Sequence, residues 1–553
     1  MGINIALFGG VQPAVAPRLL PPNMAQTALN AKLWKGDLRP WQAPLLIVTP
    51  SKVGTKQSIY RFGQDITNEA QYWFHWLTDV NVARGPVAGD TSERTYFTGA
   101  GGVPQVTDNS IALAGGTDYP MASYNLGLPA PAAAPTVGVS GVGSGTAVNK
   151  AYVYTYVSAW GEEGPPSQPS AIVSVQPGQT VNLSALSVAP VGAYNVATKR
   201  IYRTVSGNNT VDYRFVAEIA VATATYADSA ADSVVVLNEV CPSGGTGDGT
   251  DWLAPPTDMA GLIVIENGIM AGFSGKILCL SEAYVPSAWP VAYQKLAAYP
   301  IVGLGAISQG IVVCTKATPY VCQGVDPRSM TFDRIDAGKA CVSKRSIATV
   351  GGTGVMYAAA AGMVLVDPGL PGGSKVVTES LMDRDDWQAL VPSSINGYEY
   401  NGRYMGFYNT GSATGGFILD PKSPTGALTF TDQYATAGYN DPIRDTLYLQ
   451  IGADIKRWDG NTASALTYDW KSRIEVQPFA VIMSWAKVQA ASYPVTFKLY
   501  VDGSLVQTQT VASQEPFRIA QTERGREFEV ELTGTARVKK VCLAQNMAEL
   551  RTM

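Results

Sequence analysis

The sequence predicts an all-β chain: a β-propeller-like core with an inserted fibronectin/Ig-like β-sandwich, followed by a C-terminal β-sandwich. Three observations predict it. Glycine (56) and proline (35) punctuate the whole chain, and tyrosine (27), which packs well on pleated surfaces, is abundant. Two-residue turn signals recur at Asn267-Gly268, Asn396-Gly397, Asn401-Gly402, Asp459-Gly460 and Asp502-Gly503. Several lie inside apolar or alternating runs such as LIVIENGIMAGF, YEYNGRYMGFY and FKLYVDGSLVQT. Type I′ turns need positive φ at both central residues, so these dipeptides favour hairpins, and successive hairpins build antiparallel sheets. Finally, 553 residues exceed what one hydrophobic core holds, which predicts two to four domains.

From the N-terminus, residues 1–128 read as an N-terminal segment and the first strands of the propeller-like core. Within them Asn23 is expected to cap a short helix with Met24, Ala25, Ala28, Leu29 and Leu33 on one side, ended by Gly36. The proline–alanine stretch LPAPAAAP, residues 128–135, is stiff and poor in ladder donors, and marks a boundary. Residues 129–241 follow as a fibronectin-like sandwich. Six or seven short runs lie there among closely spaced turn residues, including AYVYTYVSA with Tyr152, Tyr154 and Tyr156 on one face, and KRIYRT.

A glycine-rich connector, PSGGTGDGTD, hands the chain to the main propeller-like core, residues 242–467. Strand pairs recur there at 261–273, 301–315, 346–366, 398–408, 416–431 and 446–458. Four-stranded sheets repeated without crossover helices are most simply a propeller, although no WD or kelch repeat is visible. Residues 468–553 alternate again in PVTFKLYVDG, SLVQTQTVA, REFEVELTG and ARVKKVCLA, as a small separate sandwich does.

Charged residues are only 15% of the chain, against roughly 25% in average soluble domains, so much of its surface is neutral. Contact cores are depleted of charge, and a neutral surface suits a protein covered by partners. The net charge of -4 and the lack of like-charge runs leave no basic footprint for gripping DNA. The six cysteines, Cys241, Cys279, Cys314, Cys322, Cys341 and Cys542, lack CxxC spacing and read as buried reduced thiols. MGINIALFGG has no charged first region of a signal peptide, and no apolar run reaches the 18 or so residues of a membrane span.

The sequence predicts no catalytic residue, no cofactor site and no metal site. His75 is the single histidine and sits among aromatics in YWFHW, which removes most His-dependent triads and metal sets. Gly272-Phe273-Ser274-Gly275 resembles a nucleophile elbow until Lys276 takes the place of the second glycine. Glycine clusters at 141–145, 351–354 and 372–373 match no phosphate-binding loop. Asp383, Asp385 and Asp386 could seat calcium, but the twelve-residue ligand loop is absent, and a solvated turn is expected. Paired carboxylates stay open as a route to glycan hydrolysis, although the sialidase Asp box is not found.

Four blocks, in order, resemble the tail hub or nozzle proteins of short-tailed bacteriophages, also described as tail tubular or packaged-DNA stabilisation proteins. The first is FGGVQPAVAPRLLPPNMAQTALNAKLWKGDLRP at 8–40. The second is YVYTYVSAWGEEGPPSQPS at 152–170, followed by KRIYRTVSG and Tyr226-Ala227-Asp228. The third is CLSEAYVPSAWP at 279–290, continuing through IVGLGA, KATPYVCQGVDPRSM and CVSKRS, and the fourth is SRIEVQPFAVIMSWAKVQA. The resemblance runs along nearly the whole chain. It implies a virion tail protein, assembled in the host cytoplasm as a homo-oligomer, a hexameric ring below the portal-side adaptor. Tail spikes, fibres or a tip plug would be further neighbours. DNA would pass through the central channel without sequence-specific binding, past a wall expected to be neutral or negative, since each phosphate held by Lys or Arg would slow it. The rival readings are a receptor-binding adhesin, for which the aromatics at 72–76 could contact glycans, and a propeller glycosidase.

Overall fold

The computed structural model describes residues 2–63, 67–205, 212–242, 251–308, 310–335, 338–351, 354–422 and 428–553. Most of the connector at 242–251, and residues 352–353 of one glycine cluster, lie outside the described residues. The chain divides into two compact units, Met1–Leu77 with Cys314–Pro319 and Ile335–Met553, and Thr78–Val313 with Tyr320–Arg334. Among the described residues no helix is long and apolar enough to cross a membrane.

The first unit holds propeller-like sheets and the C-terminal sandwich. Four consecutive strands, Ala348–Val350, Gly354–Ala359, Gly362–Val366 and Ser374–Val376, form one up-and-down antiparallel sheet. Asn396–Tyr400, Arg403–Asn409, Thr414–Leu419 and Thr429–Thr431 form the next. A third, Ala437–Asp441, Thr446–Ile451 and Asp454–Ala465, takes its fourth strand, Gln42–Val48, from far upstream in the chain. That closure fixes the early segment to the late one through backbone hydrogen bonds.

The sandwich's sheets are Ile3–Ile5, Val538–Ala544, Trp485–Ala490 and Phe517–Arg518 on one side, and Ala25–Leu29, Tyr468–Ser472, Gly525–Gly534, Val495–Val501 and Ser504–Val511 on the other. Strict alternation in VTFKLYV turns Val495, Phe497, Leu499 and Val501 into one buried core with Val488, Val541 and Leu543. Ala25–Leu29 also pairs in parallel with Thr429–Thr431, so the second sheet runs on into a propeller-like one as a ten-stranded whole.

The helix expected after Asn23 is therefore a strand. A bulge between Ala25 and Thr27 changes the inward spacing from two to three, so Ala25 and Ala28 are buried at a helix-like interval. Pairing with Tyr468–Ser472 outweighs the helix propensity of the alanines. The turn dipeptides also divide. Asn401-Gly402 and Asp502-Gly503 are two-residue hairpin loops with positive φ at both positions, and Asn267-Gly268 lies in the connection between Ala260–Val264 and Met270–Ser274. Asn396-Gly397 instead opens a strand: a Cβ at 397 would lie 2.0 Å from the Tyr404 hydroxyl, so close packing, not a turn, requires glycine there. Asp459-Gly460 sits in an irregular stretch of Asp454–Ala465, where positive φ at Asp459 serves a bulge.

The second unit repeats the four-stranded pattern. One sheet joins Asn81–Arg84, Thr95–Thr98, Gln105–Thr107 and Tyr124–Asn125; a second joins Ala260–Val264, Met270–Ser274, Ile277–Leu280 and Lys295–Leu296; a third runs from Ile301–Ile307 to Thr331–Arg334. Between the first two lies the inserted sandwich. Its sheets, Thr136–Ser140 with Thr180–Ser184 and Tyr226–Asp228, and Tyr152–Ser158 with Val196–Thr204 and Tyr213–Ala220, close over Tyr152, Tyr154, Val181, Leu183 and Ile201. Tyr152–Ser158 is buried on both faces, since Val153 packs with Tyr202 and Cys241 on the side away from that core. The chain is thus an all-β assembly of a propeller-like core and two sandwiches.

Candidate functional site

The residues weighed for chemistry are mostly spent on packing. His75 is buried in the strand Trp73–Trp76. Its Nδ1 lies 2.9 Å from the carbonyl of Trp73, which can only accept, and its Nε2 accepts from the Lys52 amide at 3.3 Å, so the ring is held as the neutral Nδ1–H form. Trp73 packs edge-on against Tyr448, and Phe74 stacks on Phe62. The aromatic run is strand core, which takes away its use as a glycan-binding loop. Ser274, in the failed elbow, donates to the Asp258 carboxylate at 2.8 Å. Asp383 and Asp385 are solvent-exposed as expected, but in place of a turn Asp383 caps the short helix Arg384–Ala389 by accepting from the Asp386 amide. Among the described residues no group of three or more acidic, His or Cys side chains could hold a metal. All six cysteines are free and buried, and burial pushes the thiols of Cys279 and Cys322 up to about 12, far from thiolate reactivity.

Two carboxyls in the second unit are raised. Glu163 accepts from Thr155 and Tyr202 at 2.7 Å each and from Arg200 at 3.1 Å; desolvation outweighs these partners and lifts its carboxyl. Glu162 is raised by the same cause, while Arg94 links it to Asp90 with 2.7 Å contacts to each. Each acid is engaged by a guanidinium, and the clusters tie the loop after Tyr152–Ser158 to its neighbours.

The site with most unspent chemistry grows from KLWKGDLRP, in the first unit. Strand Ala31–Lys32 pairs with Arg39–Pro40, which sets Lys32 opposite Arg39. With Trp34, Lys35, Gln42, Asp459, Thr535 and Arg537 they line a cavity of about 360 Å³. The Lys32 ammonium lies 2.6 Å from Asp459 and 4.7 and 4.6 Å from the ring centres of Trp34 and Trp41. Trp41 is fully buried and packs on Trp458 and Tyr400 behind Lys32. Asp37 accepts from Arg39 at 3.2 Å and from the Nε of Arg537 at 2.7 Å. Burial alone would raise Asp37, but these two guanidinium groups prevail and hold its carboxyl below the usual range.

Asp459, the bulge residue, is what fixes this geometry: one oxygen takes Lys32 and the other the Gln42 amide at 2.8 Å. The sequence reading passed over the cavity because it assigned residues 24–33 to a helix. The signal was three cations around Trp34 within eight residues.

No family model matches the chain, and no curated protein does. Solved structures that it resembles include the Pan2 WD40 domain of Neurospora crassa, at 8% identity over 76% of this chain and 96% of that one, with a TM-score of 0.30. BBS1N in complex with ARL6DN is similar at 10% identity over 77% and 100% of the chains, TM-score 0.29. The dihydro-heme d1 dehydrogenase NirN is similar at 11% identity over 68% and 74%, TM-score 0.26. At such values the likenesses bear on neither chemistry nor partners.

Proposed function

We propose that this chain is a structural component of a short bacteriophage tail: a hub or nozzle ring, part of the DNA ejection channel below the portal and adaptor, that helps retain packaged DNA. The observation behind it is the ordered succession of four sequence blocks along nearly the whole chain. The fold is consistent with reading the blocks as one inherited unit, because the first and last cooperate. Ser472, the first residue of the fourth block, pairs with Ala25, the Ile474 amide donates to the Pro17 carbonyl at 3.2 Å, and Arg473 donates to the Leu20 carbonyl at 3.0 Å.

A ring also needs surfaces that meet copies of themselves. Among the described residues Glu475–Val481, inside the fourth block, pairs on one side only, with Gly525–Gly534, and exposes Val476 and Phe479. An apolar edge strand invites a neighbour's backbone or side chains. Six subunits closing head to tail would bury above about 2,000 Å² at each permanent interface. Native mass spectrometry of the purified chain, alone and mixed with a portal–adaptor complex, tests the reading. Six copies, alone or on the complex, are expected; a chain that neither self-associates nor joins the complex would overturn it.

A further inference from the structure

We propose that the cavity beside Trp34 binds a small phosphate-bearing anion. This inference stands apart from the tail reading and would survive its failure. Four cationic side chains, Lys32, Lys35, Arg39 and Arg537, line the cavity, whereas the acids in contact with them are Asp37 and Asp459. Positive charge is therefore in excess by two, which a dianionic phosphate matches and a single carboxylate does not.

The donors are placed and not saturated. Asp37 anchors both arginines from one side, while the Nε–H of Arg39 is buried without an acceptor. Among the described residues Lys35, which is exposed, has no acidic partner. Lys32 is held over two indoles and cannot swing away without losing its contacts with both rings and Asp459. Guanidinium forks with an adjacent ammonium, beside the Trp34 indole, are the arrangement that recognises phosphate oxygens.

Calorimetric titration of the full-length chain with inorganic phosphate tests the proposal, with acetate as control and a 20-base-pair DNA duplex as competitor. One saturable site per chain is expected, with no response to acetate and no displacement by the duplex. Lys35→Gln and Arg537→Gln, both at solvent-accessible positions, should each weaken binding about tenfold, the loss of one charge-assisted hydrogen bond, with circular dichroism unchanged. Absence of saturable binding, wild-type affinity in both variants, or displacement by the duplex would each overturn it.

Discussion

Arg203 shows how a chain with so few charges uses them. It is fully buried in the inserted sandwich, 2.7 Å from Asp232, while its Nε lies 2.9 Å from Asp228 as an ion contact outside hydrogen-bond alignment. Tyr152 donates to Asp228 at 2.8 Å, and Lys150 reaches Asp232 at 3.0 Å. Removing the cation leaves a buried carboxylate uncompensated, so Arg203→Met should destabilise the sandwich by about 3–5 kcal/mol. Hydrogen exchange of Val196–Thr204 in urea measures it, and a change under about 1 kcal/mol would refute the role. Glu163 makes a different prediction. Its folded carboxyl titrates above the unfolded value, so the folded state loses stability as pH rises from the ordinary glutamate range near 4.5 through the raised one. Glu163→Gln cannot ionise. The stability of the wild type relative to this variant should fall as pH rises above about 4.5, and a pH-independent difference in midpoint would contradict the assignment.

At the scale of elements, the two chain ends are one structure. Trp470 is buried, donates from Nε1 to the Gly9 carbonyl at 3.1 Å, and pairs with the Phe8 ring. Trp470→Ala should cost about 3–5 kcal/mol and speed exchange in Ile3–Ile5 as well as in its own strand. Exchange confined to Tyr468–Ser472 would mean that the ends fold independently. Such long-range pairing is what the sequence could not disclose. Asn401-Gly402 and Asp459-Gly460 both encode positive φ, but a hairpin or a bulge follows according to the strand opposite, and Gln42–Val48 lies far upstream of Asp459. Alternation in VTFKLYV was legible because one face is buried, whereas residues 25–29 misled because a bulge imitates helical spacing. The cavity was half legible: Lys32, Lys35 and Arg39 are neighbours in sequence, but Asp459 and Arg537 reach them only through the fold.

For the whole molecule, local turn chemistry and strand alternation were enough to indicate an all-β chain, because each propeller-like sheet is built largely from consecutive strands, whereas the sandwich sheets join strands far apart in the chain. The proposed assembly would depend on surfaces, which a single chain shows only as strand edges and faces. The proposed tail role is addressed most directly by a symmetry-averaged electron cryomicroscopy reconstruction of particles purified from a culture that produces this chain. The account predicts six copies on the particle axis below the adaptor, surrounding an open channel with a neutral or negative wall. Density for the chain only at a peripheral fibre or spike, or its absence from the particle, would contradict it.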